Sequence, residues 1–403
     1  MTRWLLPQGI EDVLPRRAEA IEGLRRRILD LSHRWGYALV QPPEVEFLDS
    51  LLTGVGSGLG PRTLKVVDQN SGYLMGFRAD MTPQVARMDA SRLPETELPR
   101  RLCYAGTTLR AQPDNLGGSR APHQVGAEIF GVPGVYADAE IIALMAATLS
   151  EVGVREYVLD LGQVGLYSAL TADLDLEAEN SAALLAAMGR KDADTMSALL
   201  AEAGASDDHR RALALLPHLH GGPEVLEQAR GECAINPAAK AAIDDLQRLV
   251  DLLRERGLEG ILRLDLGELR GYDYHTGPVF AAFVAGEGRA VLQGGRYDGM
   301  GAAFGRSRPA TGFSGDLKQL ADLMALPEPE PEGVLAPLTG PDGLRQAIQS
   351  LRAQGVRVVE DLEGHAEAEL PRQARALGCA QVLVRETEEG AQWQVQPVGA
   401  ETD

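Results

Sequence analysis

Six consecutive residues, Arg270-Gly271-Tyr272-Asp273-Tyr274-His275, set a fixed cation, an acid, two phenols and an imidazole side by side. Gly271, Gly277 and Pro278 bracket them, and an apolar run from Val279 to Val284 follows. Such side chains are costly to bury without partners, so the cluster fits either a polar ligand or a polar turn before a strand. Three other places carry comparable chemistry. Asp80 and Thr82 precede a helical stretch, where the same oxygens can cap the helix or touch a ligand. In His123-Gln-Val-Gly-Ala-Glu128, alternation puts Gln124 and Glu128 on one face of a strand. With Arg110 on the neighbouring strand, that row could hold a zwitterion, or equally form the solvent face of an edge strand. Gln293-Gly-Gly-Arg-Tyr-Asp-Gly-Met300 is predicted to be a glycine-rich turn whose backbone can approach a ligand closely.

These residues need elements to position them. Ile21, Leu24, Ile28, Leu31 and Trp35 recur at helical spacing and predict a helix over 16–35. A strand over 37–40, a short helix over 47–52 and a hairpin of 64–67 with 73–78 follow. Residues 53–60 are glycine-rich and predicted to be a flexible loop; without a Lys-Ser/Thr ending they are not a phosphate loop. A helix over 84–90, strands over 101–110 and 123–130, a helix over 137–152 and a strand over 156–161 come next. From about 164 to 255 the chain is rich in alanine and leucine and reads as an all-helical insertion without strands. Strands are predicted at 261–266, 279–284 and 290–292, and a helix at 316–326. Pro327-Glu-Pro-Glu-Pro-Glu-Gly333 reads as a stiff linker. The expected organisation is therefore a core over 1–326, a linker over 327–333 and a small α/β module over 334–403.

Composition narrows the function. The 403 residues carry a net charge of −19, which opposes binding that depends on neutralising many phosphates. No apolar run is long enough to span a membrane, and the N-terminus lacks a signal peptide's apolar core, so a cytoplasmic protein is expected. Three scattered cysteines form neither a disulfide framework nor a metal motif, and the His218/His220 pair has no third ligand nearby.

Four stretches in order, Gln8-Gly-Ile-Glu-Asp-Val-Leu-Pro15, Gly106 to Arg110 with His123 to Glu128, Arg270-Gly-Tyr-Asp-Tyr274 and Gly294-Gly-Arg-Tyr-Asp-Gly299, make the chain resemble histidyl-tRNA synthetases. The resemblance implies an α+β fold, with the antiparallel sheet core of class II synthetases, a helical insertion and a small C-terminal α/β domain. It also implies a histidine pocket. The matching positions are Asp80, Thr82, Arg110, Gln124, Glu128, Arg270 and Tyr274, with His275 replacing a tyrosine and Asp80 one methylene shorter than the family glutamate. The nucleotide site departs from the pattern. Gln319 stands at the position of the arginine that grips ATP, Gln112 replaces an acid, and Pro122 replaces an aromatic residue. The chain is thus similar to a paralogous, non-catalytic family, the regulatory subunits of ATP phosphoribosyltransferase, to which Phe77-Arg-Ala-Asp-Met-Thr-Pro-Gln-Val-Ala-Arg87 and Asp160-Leu-Gly-Gln-Val-Gly165 also point. That likeness implies no catalytic residue, cofactor, metal or tRNA. It implies a short-form catalytic subunit as partner, L-histidine as a feedback effector, and a homodimer within a hetero-oligomer. An active histidyl-tRNA synthetase and a free-standing histidine-binding paralogue are the alternatives.

Overall fold

The computed structural model describes residues 5–54, 59–113, 118–269, 274–325, 330–340, 342–385 and 392–399. The chain divides into two compact units, residues 1–325 and 326–403.

The first unit is built on a nine-stranded sheet. Its order is Ala38–Leu39, Arg100–Thr107, His123–Phe130, Ala310–Asp316, Leu292–Arg296, Pro278–Phe283, Val158–Gln163, Leu262–Asp265 and His220–Gly221. The expected antiparallel core holds for the central strands. Two pairs are parallel, Ala38–Leu39 with Leu102–Cys103 and Leu159–Leu161 with Leu262–Leu264, so the sheet as a whole is mixed. Both parallel pairs close long connections, which return a strand in the same direction.

One face of the sheet carries the main core. Helix Val135–Val152 is apolar on most sides because it is covered on most sides. It lies on the central strands and beneath helices Pro15–Arg34 and Pro237–Glu255. Ile21, Leu24, Ile28 and Leu31 form the buried stripe of the first helix, as their spacing predicts. The opposite face carries helix Thr82–Ser91 over a smaller cluster that includes Met81, Val85, Tyr104, Phe130 and Tyr297.

Four sequence expectations are corrected. The glycine-rich turn at 293–300 begins as a strand, Leu292–Arg296, and the unassigned stretch before the 316 helix is strand Ala310–Asp316. Glycine disfavours strands locally, and here tertiary pairing on both sides overrides that preference. The insertion consists of helices from Val164–Thr171 to Pro237–Glu255, but it also contributes the edge strand His220–Gly221. The strand expected over 101–110 ends at Thr107, and Arg110 forms an isolated bridge with Thr63. Of the glycine-rich segment, 55–58 lies outside the described residues, and Leu59–Arg62 is a single helical turn.

The second unit is a four-stranded sheet in the order Val358–Glu360, Val334–Ala336, Gln381–Arg385 and Trp393–Pro397. Helices Leu344–Ala353 and Leu370–Ala376 accompany it.

Candidate functional site

Strand register builds the site. Residues paired directly across neighbouring strands share a face. Glu128 pairs with Gly312, Gly312 with Gly295, Gly295 with Val279 and Val279 with Gly162. One step along the strands, Gly126, Ser314, Gln293, Ala281 and Asp160 form a second row. The two rows are rich in glycine, and small residues leave room above the sheet. A cavity of about 360 Å³ lies there, walled by Asp80, Thr82, Tyr297, Glu268, Tyr274 and His275.

Glu128 is the chemical centre. It is 1% exposed, yet its carboxylate borders the cavity. Three hydroxyls donate to it: Thr82 Oγ1 at 3.0 Å and Tyr104 Oη at 2.9 Å to Oε1, and Tyr297 Oη at 2.6 Å to Oε2. Burial pushes its carboxyl up to about 8, while the hydroxyl of Tyr297, then those of Tyr104 and Thr82, pull the other way, and Asp80 adds a small push upward. Burial and the neighbouring Glu128 charge hold the phenols of Tyr104 and Tyr297 well above their usual range, so both remain donors. Gly312 is required beside this carboxylate, because a Cβ there would sit 1.5 Å from Glu128 Oε2.

Asp80 and Gln124 form the adjoining wall. Gln124 Nε2 donates to Asp80 Oδ1 at 2.8 Å and to Ser314 Oγ at 3.1 Å, while Gln124 Oε1 accepts the Met81 N–H at 2.8 Å. Asp80 Oδ1 also accepts the Thr82 N–H at 3.0 Å, at the start of the helix. Capping and cavity lining therefore share one carboxylate. His275 lies against Gly295, where a Cβ would come within 2.9 Å of its ring, and Tyr274 tilts over it with centroids 4.3 Å apart. Tyr274 is 44% exposed and borders the cavity.

Of the eight residues singled out in the sequence, Asp80, Thr82, Glu128, Tyr274 and His275 line this one cavity. Gln124 braces its wall. Arg110 is held alongside, its Nε donating to the Ala79 carbonyl at 3.4 Å. Arg270 lies outside the described residues, as do Gly271, Tyr272 and Asp273. Sequence reasoning missed Tyr104 and Tyr297 as partners of Glu128, and Asp160 and Glu268 as lining residues. Among the described lining residues four are acids, Asp80, Glu128, Asp160 and Glu268, and one is a cation, Arg62. The cavity therefore favours a ligand rich in hydrogen-bond donors and carrying positive charge.

The departures in the nucleotide region have their own partners. Gln319 Nε2 donates to Glu287 Oε2 at 2.7 Å, Lys318 pairs with Glu11 at 3.3 Å, and Pro122 is buried, its carbonyl accepting the Thr108 N–H. Gln112 is exposed. No membrane-length apolar helix and no metal-competent cluster of His, Cys, Asp or Glu occurs among the described residues.

Comparisons with known proteins agree with this architecture. Residues 9–320 match the model of the histidyl-tRNA synthetase family, and residues 331–396 match that of the ATP phosphoribosyltransferase subunit HisZ C-terminal domain. The chain is 49% identical to an ATP phosphoribosyltransferase regulatory subunit of Pseudomonas aeruginosa, with 99% of each chain covered. It is also 49% identical to that of Chromohalobacter salexigens, with 98% of each covered. A solved structure described as an ATP phosphoribosyltransferase regulatory subunit/histidyl-tRNA synthetase from Bacillus halodurans superposes with a TM-score of 0.80. It is 26% identical and covers 95% of this chain and 98% of its own. Histidyl-tRNA synthetase from Nostoc shares the fold, with a TM-score of 0.77 at 17% identity, covering 95% of this chain and 92% of its own. With both regions matched in order and relatives this similar over nearly their full length, the chain belongs to the family of ATP phosphoribosyltransferase regulatory subunits, built on the histidyl-tRNA synthetase fold.

Proposed function

We propose that this chain is the non-catalytic regulatory subunit of an ATP phosphoribosyltransferase of histidine biosynthesis, and that its cavity takes L-histidine as the effector. The observation that carries the second part is the meeting of Asp80, braced by Gln124, and Glu128 in one acid-rich cavity. L-histidine matches that set. Its ammonium suits Asp80 and its imidazole N–H suits the Glu128 carboxylate, as charge-assisted hydrogen bonds. Arg270 is the group that family likeness assigns to its carboxylate. The partner is a short-form catalytic subunit, the assembly is a hetero-oligomer with a homodimer of this chain at its core, tRNA is not a ligand, and the setting is the cytoplasm. Histidine acts by binding one state of the complex better than another, with a coupling of roughly 1–3 kcal/mol.

Phosphoribosyltransferase assays with and without this chain, across a histidine titration, test the reading. The partner should gain activity from this chain and lose it again as histidine rises. Activity that ignores this chain removes the subunit role. Activity that depends on it but ignores histidine, with no heat of histidine binding by calorimetry, removes the sensor role alone.

A further inference from the structure

Tyr297 completes the set of hydroxyls on Glu128, and it stands at a strand end with two different faces. Gly295 lies on the cavity face of strand Leu292–Arg296, and alternation turns Arg296 the other way. There the guanidinium is buried and each of its nitrogens is engaged. Nε and Nη2 donate to Asp138 Oδ2 at 3.0 and 2.9 Å, and Nη2 also donates to the Gly134 carbonyl at 2.7 Å. Nη1 donates to the Val132 carbonyl at 3.2 Å and to Asp298 Oδ1 at 3.0 Å. These partners lie in and just before helix Val135–Val152 and immediately beyond Tyr297.

The grip extends to the cavity wall. Asp298 Oδ1 also accepts the Ala310 N–H at 2.9 Å, and the Asp298 N–H donates to Thr276 Oγ1 at 3.1 Å. The Thr276 N–H donates to the Arg296 carbonyl at 2.8 Å. The residues flanking Tyr297 are thereby tied to the helix, to strand Ala310–Asp316 and to the segment that carries Tyr274 and His275.

We propose that Arg296, held between Asp138 and Asp298, is a positioning residue that keeps the Tyr297 hydroxyl on Glu128 and so sets the charge that the cavity presents to a ligand. The inference rests on the reading of the cavity as a ligand site only for its consequence in binding. A simpler role competes with it. Arg296 could merely staple the helix to the sheet, leaving Tyr297 to be fixed by its N–H bond to the Ala310 carbonyl at 2.8 Å and by the edge of the Phe130 ring, 6.4 Å between centroids. The two roles differ in what Glu128 does when the grip is loosened. A donated hydroxyl favours the carboxylate, and the Tyr297 hydroxyl is the strongest such influence on Glu128.

The test is a carboxyl-carbon NMR titration of Glu128 in the full-length, ligand-free protein. Tyr297→Phe removes one hydrogen bond to a charged group and should raise the Glu128 midpoint by about one pH unit. Asp138→Asn and Asp298→Asn should raise it in the same direction by less. Tyr297→Phe combined with Asp298→Asn should go no further than Tyr297→Phe alone, because both act through one hydroxyl. Asp298 is half-buried and its loss leaves the Arg296–Asp138 pair in place, so this variant decides the matter even where Asp138→Asn fails to fold. A wild-type midpoint in Asp298→Asn, or a shift that adds to that of Tyr297→Phe, overturns the proposal. Calorimetric histidine titrations on the same samples keep the two readings apart. Absence of binding to the wild type removes the ligand assignment and leaves the NMR result standing.

Discussion

Glu128 sets the chemistry of the cavity because it is a buried carboxyl whose charge burial opposes. Its carboxyl titrates at about 8 in the fold against 4.5 for an ordinary glutamate, so the folded chain binds that proton more tightly than the unfolded chain does. The stability this provides is complete below about pH 4.5 and is lost as pH rises through 8. Glu128→Gln cannot ionise, so its melting temperature should gain on the wild type between about pH 5 and pH 8 and level off above that. A difference that stays flat with pH would show that Glu128 does not titrate in this range. Ligand binding should run the other way. Histidine affinity should climb between pH 6.5 and 8.5 as the carboxylate forms, and Glu128→Gln should weaken it by roughly tenfold or more at pH 8.5, the worth of one charge-assisted hydrogen bond. Calorimetry at the two pH values reads both effects. The pairing of Gln124 with Glu128 on one face was legible in the sequence, since strand alternation is a local rule. Tyr104 and Tyr297 were not, because their hydroxyls arrive from two other strands and no spacing along the chain joins them to Glu128.

At the level of elements, the cavity depends on a glycine-bearing floor and a helix held at the right height. Gly312→Ala would drive a methyl group into Glu128. It should cost about 1–3 kcal/mol in denaturant unfolding, the usual price of overpacking, and should abolish histidine binding. Normal binding by that variant would mean that the ligand does not approach Glu128. Helix Thr82–Ser91 brings Thr82 to the site and is anchored at its far end by buried Asp89. That carboxylate accepts from Arg100 Nη1 at 2.5 Å and from Arg308 Nη1 at 3.0 Å. Asp89→Ala leaves two guanidiniums uncompensated and should destabilise the chain by about 3–5 kcal/mol, measured as a shift in the denaturation midpoint. The helices of this unit were legible because an apolar stripe at helical spacing survives any tertiary context. The glycine-bearing strands Leu292–Arg296 and Ala310–Asp316 were not. Their local preference argues for turns, and it is pairing with neighbours on both sides that makes them strands.

For the whole molecule, Gln319, at the position where the synthetase resemblance expects an arginine for ATP, is engaged with Glu287, and its neighbour Lys318 pairs with Glu11. Histidine-dependent pyrophosphate exchange should therefore be undetectable with this chain alone. Exchange above background would restore the synthetase reading. Saturating histidine should still raise the melting temperature, since a ligand that binds only the folded chain stabilises it by mass action, by about 2.7 kcal/mol at a hundredfold excess over Kd.

The sequence by itself determined the family, the order of the motifs and the residue types of the candidate site, because those reside in local patterns and in their succession along the chain. It also carried the departures from the synthetase pattern at Gln112, Pro122 and Gln319. Tertiary structure alone decided the register that sets Gly312 beside Glu128 and Gly295 beside His275, and alone brought Asp160 and Glu268 to the same cavity. It alone made Gly295 part of the cavity floor rather than of a turn, in line with Gly312 on the neighbouring strand. It also surrounded Glu128 with three hydroxyls from residues 82, 104 and 297. The physical reason is that desolvation and hydrogen bonding act through space. A carboxyl's charge is set by what the fold packs around it, and strand register, which no short stretch encodes, decides which side chains those are.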